Sequence, residues 1–313
     1  MATNPARGES ASSTGLGREA RGEIAGNGRL ADIDPSFRVD RSIEFRHQLA
    51  SHPLLQMPAL IALAGRLPPD AVRFHAAAMS ADTDFSDEPA IPRAKATLED
   101  ALAGIEQAGA WVQFKHIEQD PLYRALIDRF LDEARPLMGG DATSMGQREG
   151  YIFIASPGSV TPYHCDHELN FICQIRGPKE FHVWDPADRS VLSQEQLESF
   201  HAEYSLKNIR YDEKLEARAR VHSLGSGQGI YMPLAAPHLV RTGAAAAITL
   251  SVVFITDSAR REAAVHSANY LLRRLGVEPR EPGISPVVDS AKRRGLGVIT
   301  RVRSLLGGAR KRG

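Results

Sequence analysis

The sequence predicts a mainly β fold with flanking helices, its short strands closing on themselves as a sandwich or barrel. Three observations carry that expectation. Between residues 151 and 255, short runs rich in Ile, Val, Phe and Tyr recur at close intervals. Glycine and proline punctuate them, as at Pro157-Gly158 and Gly177-Pro178. Helical spacing of apolar residues falls before and after this block, with one polar insertion inside it.

Composition bounds the rest. A chain of 313 residues makes one large or two small domains and can bury a sizeable core. Its 38 basic residues balance 38 acidic ones, so no global field draws it to nucleic acid or to a membrane. Only two cysteines occur, Cys165 and Cys173, which excludes a disulfide framework and makes a reducing cytoplasm the simplest setting. No apolar run approaches the length of a bilayer span, and no hydrophobic leader is expected from the first residues.

Taken in order, residues 1–32 are rich in Gly, Ala, Ser and Arg without apolar periodicity and read as a disordered tail. Residues 33–140 read as a mixed, largely helical region packed on the barrel. It begins with a loop and a short helix over 57–64, followed by a polar, proline-marked surface loop over 81–92. Helical spacing then runs over 94–107 through Leu98, Ala101, Leu102 and Ile105. Residues 111–114 look extended. A second helix starts at Pro121, with Leu122, Leu126, Ile127, Phe130, Leu131 and Ala134 along one stripe. His47, His52 and His75 lack metal-ligand spacing and read as structural or exposed.

The barrel is expected over residues 141–256. Its strands fall at 151–155, around His164, at 169–175, 179–184, 221–224, 229–233 and 238–240, and finally at 247–255. Residues 185–211 are polar, with a helical piece at 194–204. A helix over 257–276 should place Ala264, Ala268, Leu271 and Leu275 on one stripe. The remaining segment, 277–313, is basic: from Ser290 onward it holds eight Lys or Arg and no acid. Val298, Ile299, Val302, Leu305 and Leu306 share a helical face. That pattern fits a partner or an anionic surface, but a solvated tail whose weak helix is interrupted by Gly295 and Gly297 is the plainer expectation.

The chemistry concentrates in residues 159–184, SVTPYHCDHELNFICQIRGPKEFHVW. His164 and Asp166 stand two apart, so an extended backbone would turn both to one face and Cys165 away. One imidazole and one carboxylate supply two thirds of the two-histidine, one-carboxylate set that holds Fe(II) and leaves positions open for substrate and oxygen. His238, in GIYMPLAAPHLVRT, is the candidate third ligand. A bare His-X-Asp arises readily by chance in a chain with 11 histidines, so context must carry the reading.

That context is a resemblance. Thr161-Pro162, His164, Asp166, Asn170-Phe171, Gln174-Ile175, Gly177, Lys179, Tyr231-Met232-Pro233 and His238 follow one another in an order similar to the cupin-like JmjC family of Fe(II)/2-oxoglutarate dioxygenases. The pattern most resembles the branch containing the asparaginyl hydroxylase that acts on hypoxia-inducible factor. It covers about residues 151–256. Two places depart from it: Gly227-Gln228 stands where the family often has Gly-Asp, and Ala235-Ala236-Pro237 stands where aromatic residues often precede the distal histidine. The ligands are untouched by these departures, but the substrate mouth becomes less aromatic.

The resemblance implies a double-stranded β-helix, the jelly-roll or cupin barrel. It implies Fe(II) on His164, Asp166 and His238, which would be the catalytic centre. It implies 2-oxoglutarate with its far carboxylate on Lys179 and Thr161, and Asn170 and Ser251 lining the cosubstrate pocket. The expected activity is hydroxylation of a protein side chain or small metabolite. A homodimer through the helix after the barrel is a further expectation. Two other readings stand beside it: a non-catalytic cupin-like binding or regulatory protein, and a metal-dependent enzyme that does not use 2-oxoglutarate. The complete set of His164, Asp166, His238 and Lys179 speaks against both. His167 is an alternative ligand placed on the wrong strand face. Tyr151 and Tyr163 read mainly as buried packing, and Arg241 as a possible anion contact.

Overall fold

The computed structural model describes residues 31–33, 36–75, 80–83, 98–107 and 109–309. The expectations for residues 1–30, 84–92, 94–97 and 310–313 lie outside the described residues.

Twelve described strands form two antiparallel sheets. They are β1 (Ala31–Asp32), β2 (Ile43–His47), β3 (Val72–His75), β4 (Trp111–Phe114), β5 (Gly146–Ala155), β6 (Val160–His164), β7 (Leu169–Arg176), β8 (Lys179–Val183), β9 (Arg220–Leu224), β10 (Gln228–Met232), β11 (His238–Thr242) and β12 (Ala247–Ile255). The helices are α1 (Met57–Ala64), α2 (Leu98–Ala103), α3 (Pro121–Ala134), α4 (Gln194–Glu203), α5 (Asp257–Arg274) and α6 (Pro286–Ala309). The larger sheet runs β1-β2-β10-β7-β12-β5-β4-β3 and the smaller β6-β11-β8-β9. Among β5 to β12 the pairings are nested: β5 with β12, β6 with β11, β7 with β10, β8 with β9. Nested antiparallel pairing of eight strands across two facing sheets is the topology of a jelly roll, as the sequence led one to expect.

The two faces of the larger sheet explain its composition. On β12, Leu250, Val252 and Phe254 join the main core, while the alternate Thr249, Ser251 and Val253 face the barrel interior. On β7, Phe171 and Cys173 do the former, and Asn170 and Ile172 the latter. Both faces are covered, so these strands read as near-continuous buried runs. The outer face lies under α3, whose buried stripe is Tyr123, Leu126, Ile127, Phe130, Leu131 and Ala134. Asp120 caps that helix by accepting a hydrogen bond from the Leu122 amide at 2.9 Å, and Pro121 opens its first turn. A second core backs the smaller sheet. There Tyr163, Cys165 and Trp184 pack with Leu192, Leu197 and Phe200 from the 185–211 insertion. Ser193 and Gln196 close a capping box at the start of α4.

Several expectations need correction. Residues 31–32, expected in the tail, belong to the larger sheet, where Ala31 pairs with His47. The region before the barrel is less helical than expected, because β2 and β3 extend the two edges of the larger sheet. Leu275 lies past the end of α5 and is exposed; the buried residues of that helix are Ala259, Val265, His266, Ala268 and Asn269, of which the expected stripe held only Ala268. Finally, α6 continues through Gly295 and Gly297 without interruption.

Candidate metal centre

His164 closes β6 and His238 opens β11, and the antiparallel register makes them direct partners. Their rings lie 4.1 Å apart, centroid to centroid. Asp166 is not on the strand, as the two-residue spacing suggested, but in the turn just beyond it. It still reaches both histidines: Oδ1 is 3.7 Å from His164 Nε2 and Oδ2 is 3.9 Å from His238 Nε2. These separations are too long for hydrogen bonds and suit three ligands around one ion. One ligand atom from each residue lies within 4.8 Å of the others, and among the described residues no other group of three His, Cys, Asp or Glu side chains is so arranged.

The donor set is prepared for a metal. The Pro162 carbonyl lies 2.7 Å from His164 Nδ1, and the Ala236 carbonyl lies 3.0 Å from His238 Nδ1. A carbonyl can only accept, so each Nδ1 carries the proton and each Nε2 presents a lone pair toward Asp166. Burial pushes His164 down to about 4, helped by His238, which keeps the imidazole neutral and able to ligate. Burial alone would raise Asp166, but the two imidazoles and Asn170 outweigh it and hold the carboxylate below its ordinary value. Ser251 Oγ donates to Asn170 Oδ1 at 2.8 Å, which turns Asn170 Nδ2 toward Asp166 Oδ2 at 3.4 Å. Asn170 and Ser251 thus form a support for the carboxylate, a role the sequence alone did not reveal.

All seven site residues expected from the sequence, His164, Asp166, His238, Lys179, Thr161, Asn170 and Ser251, line a single cavity of about 220 Å³. Lys179 is 4% exposed, and among the described residues no carboxylate pairs with it. Burial pushes its ammonium down to about 7. It stands four residues along β8 from Val183, the partner of His238, so the cation and the histidines lie at different depths of one barrel.

Gln113, Phe153 and Glu168 also line the cavity, and the sequence reading passed over them. Gln113 and Phe153 are neighbours on β4 and β5, and alternation would have placed them once that pairing was known. The Glu168 carboxyl is pushed up to about 7 by burial, and then by Asp166 and Glu149. Tyr151 belongs to this lining as well, its hydroxyl donating to Glu149 at 2.8 Å, whereas Tyr163 packs edge-on against Trp184. His167 stacks on Phe200 and Tyr204 and is not part of the ligand set. Arg241 pairs with Glu216 at 3.5 Å and does not line this cavity. Cys165 and Cys173 are buried with free thiols.

A model of the cupin-like domain matches residues 75–258. Among solved structures, the chain is similar to YcfD, a ribosomal oxygenase from Escherichia coli, in complex with cobalt and 2-oxoglutarate. The identity is 18%, over 61% of this chain and 46% of that one, with a TM-score of 0.33. It is also similar to the DMSP lyase DddQ from Ruegeria pomeroyi, at 15% identity over 34% of this chain and 38% of that one, TM-score 0.23. The chain spans about half the length of the YcfD structures or less. No curated protein matches it. The family match takes in more than half of the 313 residues and every candidate ligand. The chain belongs to the cupin-like domain family.

Proposed function

We propose that this protein is an Fe(II)- and 2-oxoglutarate-dependent dioxygenase that hydroxylates a protein side chain or a small metabolite. The observation that carries the reading is the presence, in one cavity, of a His-Asp-His set and a buried lysine with no carboxylate partner among the described residues. His164, Asp166 and His238 would hold the iron. Two imidazoles and a carboxylate suit Fe(II), whereas thiolate donors would have favoured zinc or a cluster. Iron, when bound with 2-oxoglutarate, would supply the activation of molecular oxygen: the diacid would be oxidised to succinate and carbon dioxide, taking one oxygen atom, and the other would enter an unactivated C–H bond of the substrate.

The chain's own groups then have defined tasks. Lys179 answers the far carboxylate of the diacid. Four residues of β8 separate it from the position opposite His238, roughly 13 Å of strand, which the lysine stem shortens to leave room for a five-carbon chain. Thr161 on β6 offers a hydroxyl to the same carboxylate. Asn170 and Ser251 keep Asp166 aimed at the iron site. Phe181, Ile172 and Val240 wall the cavity with apolar surface, which excludes water and strengthens each charge contact. Substrate would enter past Tyr151, Phe153, Gln113 and Glu168. The resemblance to the asparaginyl hydroxylase branch leans toward a protein side chain. Two buried free cysteines fit a reducing cytoplasm.

Anaerobic titration with Fe(II) and 2-oxoglutarate tests this directly. The expected result is a weak visible charge-transfer band, followed by slow succinate formation when oxygen is admitted. Lys179→Ala should raise the apparent KM for 2-oxoglutarate by roughly a hundredfold while leaving Fe(II) binding in place. Iron binding with neither band nor succinate would overturn the reading in favour of a binding protein.

A further inference from the structure

The last helix is turned the wrong way round for a helix packed on a globular protein. On α6, Asp289 and Arg293 share a crevice with Arg261, Glu262 and Val265 of α5. Lys292 reaches back to donate to the Arg280 carbonyl at 2.6 Å, and Asp289 accepts from the Gly283 amide at 2.8 Å. The polar side of the helix thus faces the protein. Its apolar side faces away: Val287 is 80% exposed, and Val288, Ala291 and Gly295 are exposed beside it.

Helical spacing continues that stripe along the whole element. Positions 287, 291, 298, 302, 305 and 309 are Val, Ala, Val, Val, Leu and Ala, with 288, 299 and 306 adding Val, Ile and Leu at its border. The 24 residues make a rod roughly 36 Å long. Basic residues flank the stripe on both sides, at 294 and 301 on one and at 303 on the other, and the only acid in the helix, Asp289, is turned inward. The connection from α5 adds Leu275 and Ile284, 79% and 64% exposed.

An apolar stripe bordered by cations fits one kind of surface. A second copy apposing the same stripe would bring two basic borders together with no acid after position 289 to offset them. A nucleic acid would use the cations and leave the stripe in water. The interface of an anionic bilayer takes both: acyl chains receive the stripe, and headgroup phosphates receive the flanking cations. No described helix is long and apolar enough to cross a membrane, so the geometry is one of lying on a surface.

We infer that α6 docks this protein flat on an anionic phospholipid surface through the stripe of Val287, Ala291 and positions 298, 302 and 305. The inference is independent of the proposed chemistry, since Val287 and Ala291 do not line the cavity of the candidate metal centre.

Flotation of the full chain, nuclease-treated, with vesicles of phosphatidylglycerol and phosphatidylcholine in equal parts tests it, beside vesicles of phosphatidylcholine alone. Binding should require phosphatidylglycerol and weaken in high salt. Arg294→Gln with Arg301→Gln should lower the partition coefficient roughly thirty-fold. Val287→Asp with Leu305→Asp should abolish it, and unchanged unfolding midpoints would show both double variants folded. Absence of flotation, or flotation indifferent to both variants, would overturn the inference. So would a dimer in light scattering that the aspartate variant converts to monomer, which would give the stripe to a second copy. Retention by nucleic acid with no binding to vesicles would overturn it equally.

Discussion

Asp166 has the least backbone support of the three candidate ligands, because it follows β6 instead of lying in it. Its aim therefore depends on Asn170, and that dependence can be measured. Asn170→Ala should weaken Fe(II) or Co(II) binding by about 10- to 100-fold with little change in folding, read by anaerobic titration. An unchanged affinity would reduce Asn170 to cavity lining. Lys179 makes the second prediction, with a sign fixed by burial. Its ammonium is pushed down to about 7 in the free protein. A bound diacid favours the charged form, so the value rises in the complex, and binding takes up one proton between the two. Affinity for 2-oxoglutarate should then fall about tenfold per unit above pH 7. Calorimetry at pH 8 in two buffers of different ionisation heat should show that proton, and Lys179→Met should remove it. At this scale the sequence was informative about ligand types and much less about support. His164, His238 and Lys179 stand out by motif and spacing, but the Ser251–Asn170–Asp166 chain joins residues brought together only by the pairing of β7 with β12.

The turn between β7 and β8 delivers Lys179, and Gly177 forms it with φ of +72°. A Cβ there would overlap the backbone carbonyl of Ala246, which cannot swing aside as a side chain could. Gly177→Ala should therefore cost about 3 kcal/mol and also loosen 2-oxoglutarate binding. Gly158, at φ +73° with no atom within 4 Å of the added carbon, is the control: Gly158→Ala carries backbone strain alone and should cost about 1 kcal/mol. Equal unfolding midpoints for the two variants would refute the clash. Elements were legible wherever local pattern and final environment agree. The barrel strands between Gly and Pro turns are such a case, and so is α3 with its cap and stripe. They were illegible where a distant partner decides. The short strand β2 is extended because Phe45 and Arg46 pair with Gly229 and Gln228. On α5, His266 and Asn269 are buried because α4 and the following loop supply polar partners: Gln194 lies 3.4 Å from His266, and the Arg280 carbonyl accepts from Asn269 at 3.0 Å. A search for apolar stripes selects Leu271 and Leu275 instead. Glycine costs a helix about 1 kcal/mol each, yet α6 absorbs four of them along its length.

For the molecule as a whole, nested strand pairing means that the candidate metal centre exists only in the folded state. His164 and His238 are neighbours because β6 pairs with β11, two strands separated by the entire 185–211 insertion and four other strands. The unfolded chain has no such site, so a metal and a diacid that bind the barrel must stabilise it by mass action. At a hundred times the dissociation constant the gain is about 2.7 kcal/mol. For a chain of 313 residues that corresponds to a rise of roughly 4 °C in the unfolding midpoint. Cobalt or Fe(II) with 2-oxoglutarate under argon should therefore shift the midpoint together more than either does alone, because Lys179 and the His-Asp-His set line one cavity. Asp166→Ala should lose the metal-dependent part of the shift. A shift of equal size in that variant would place the ion elsewhere on the molecule and separate metal binding from the barrel.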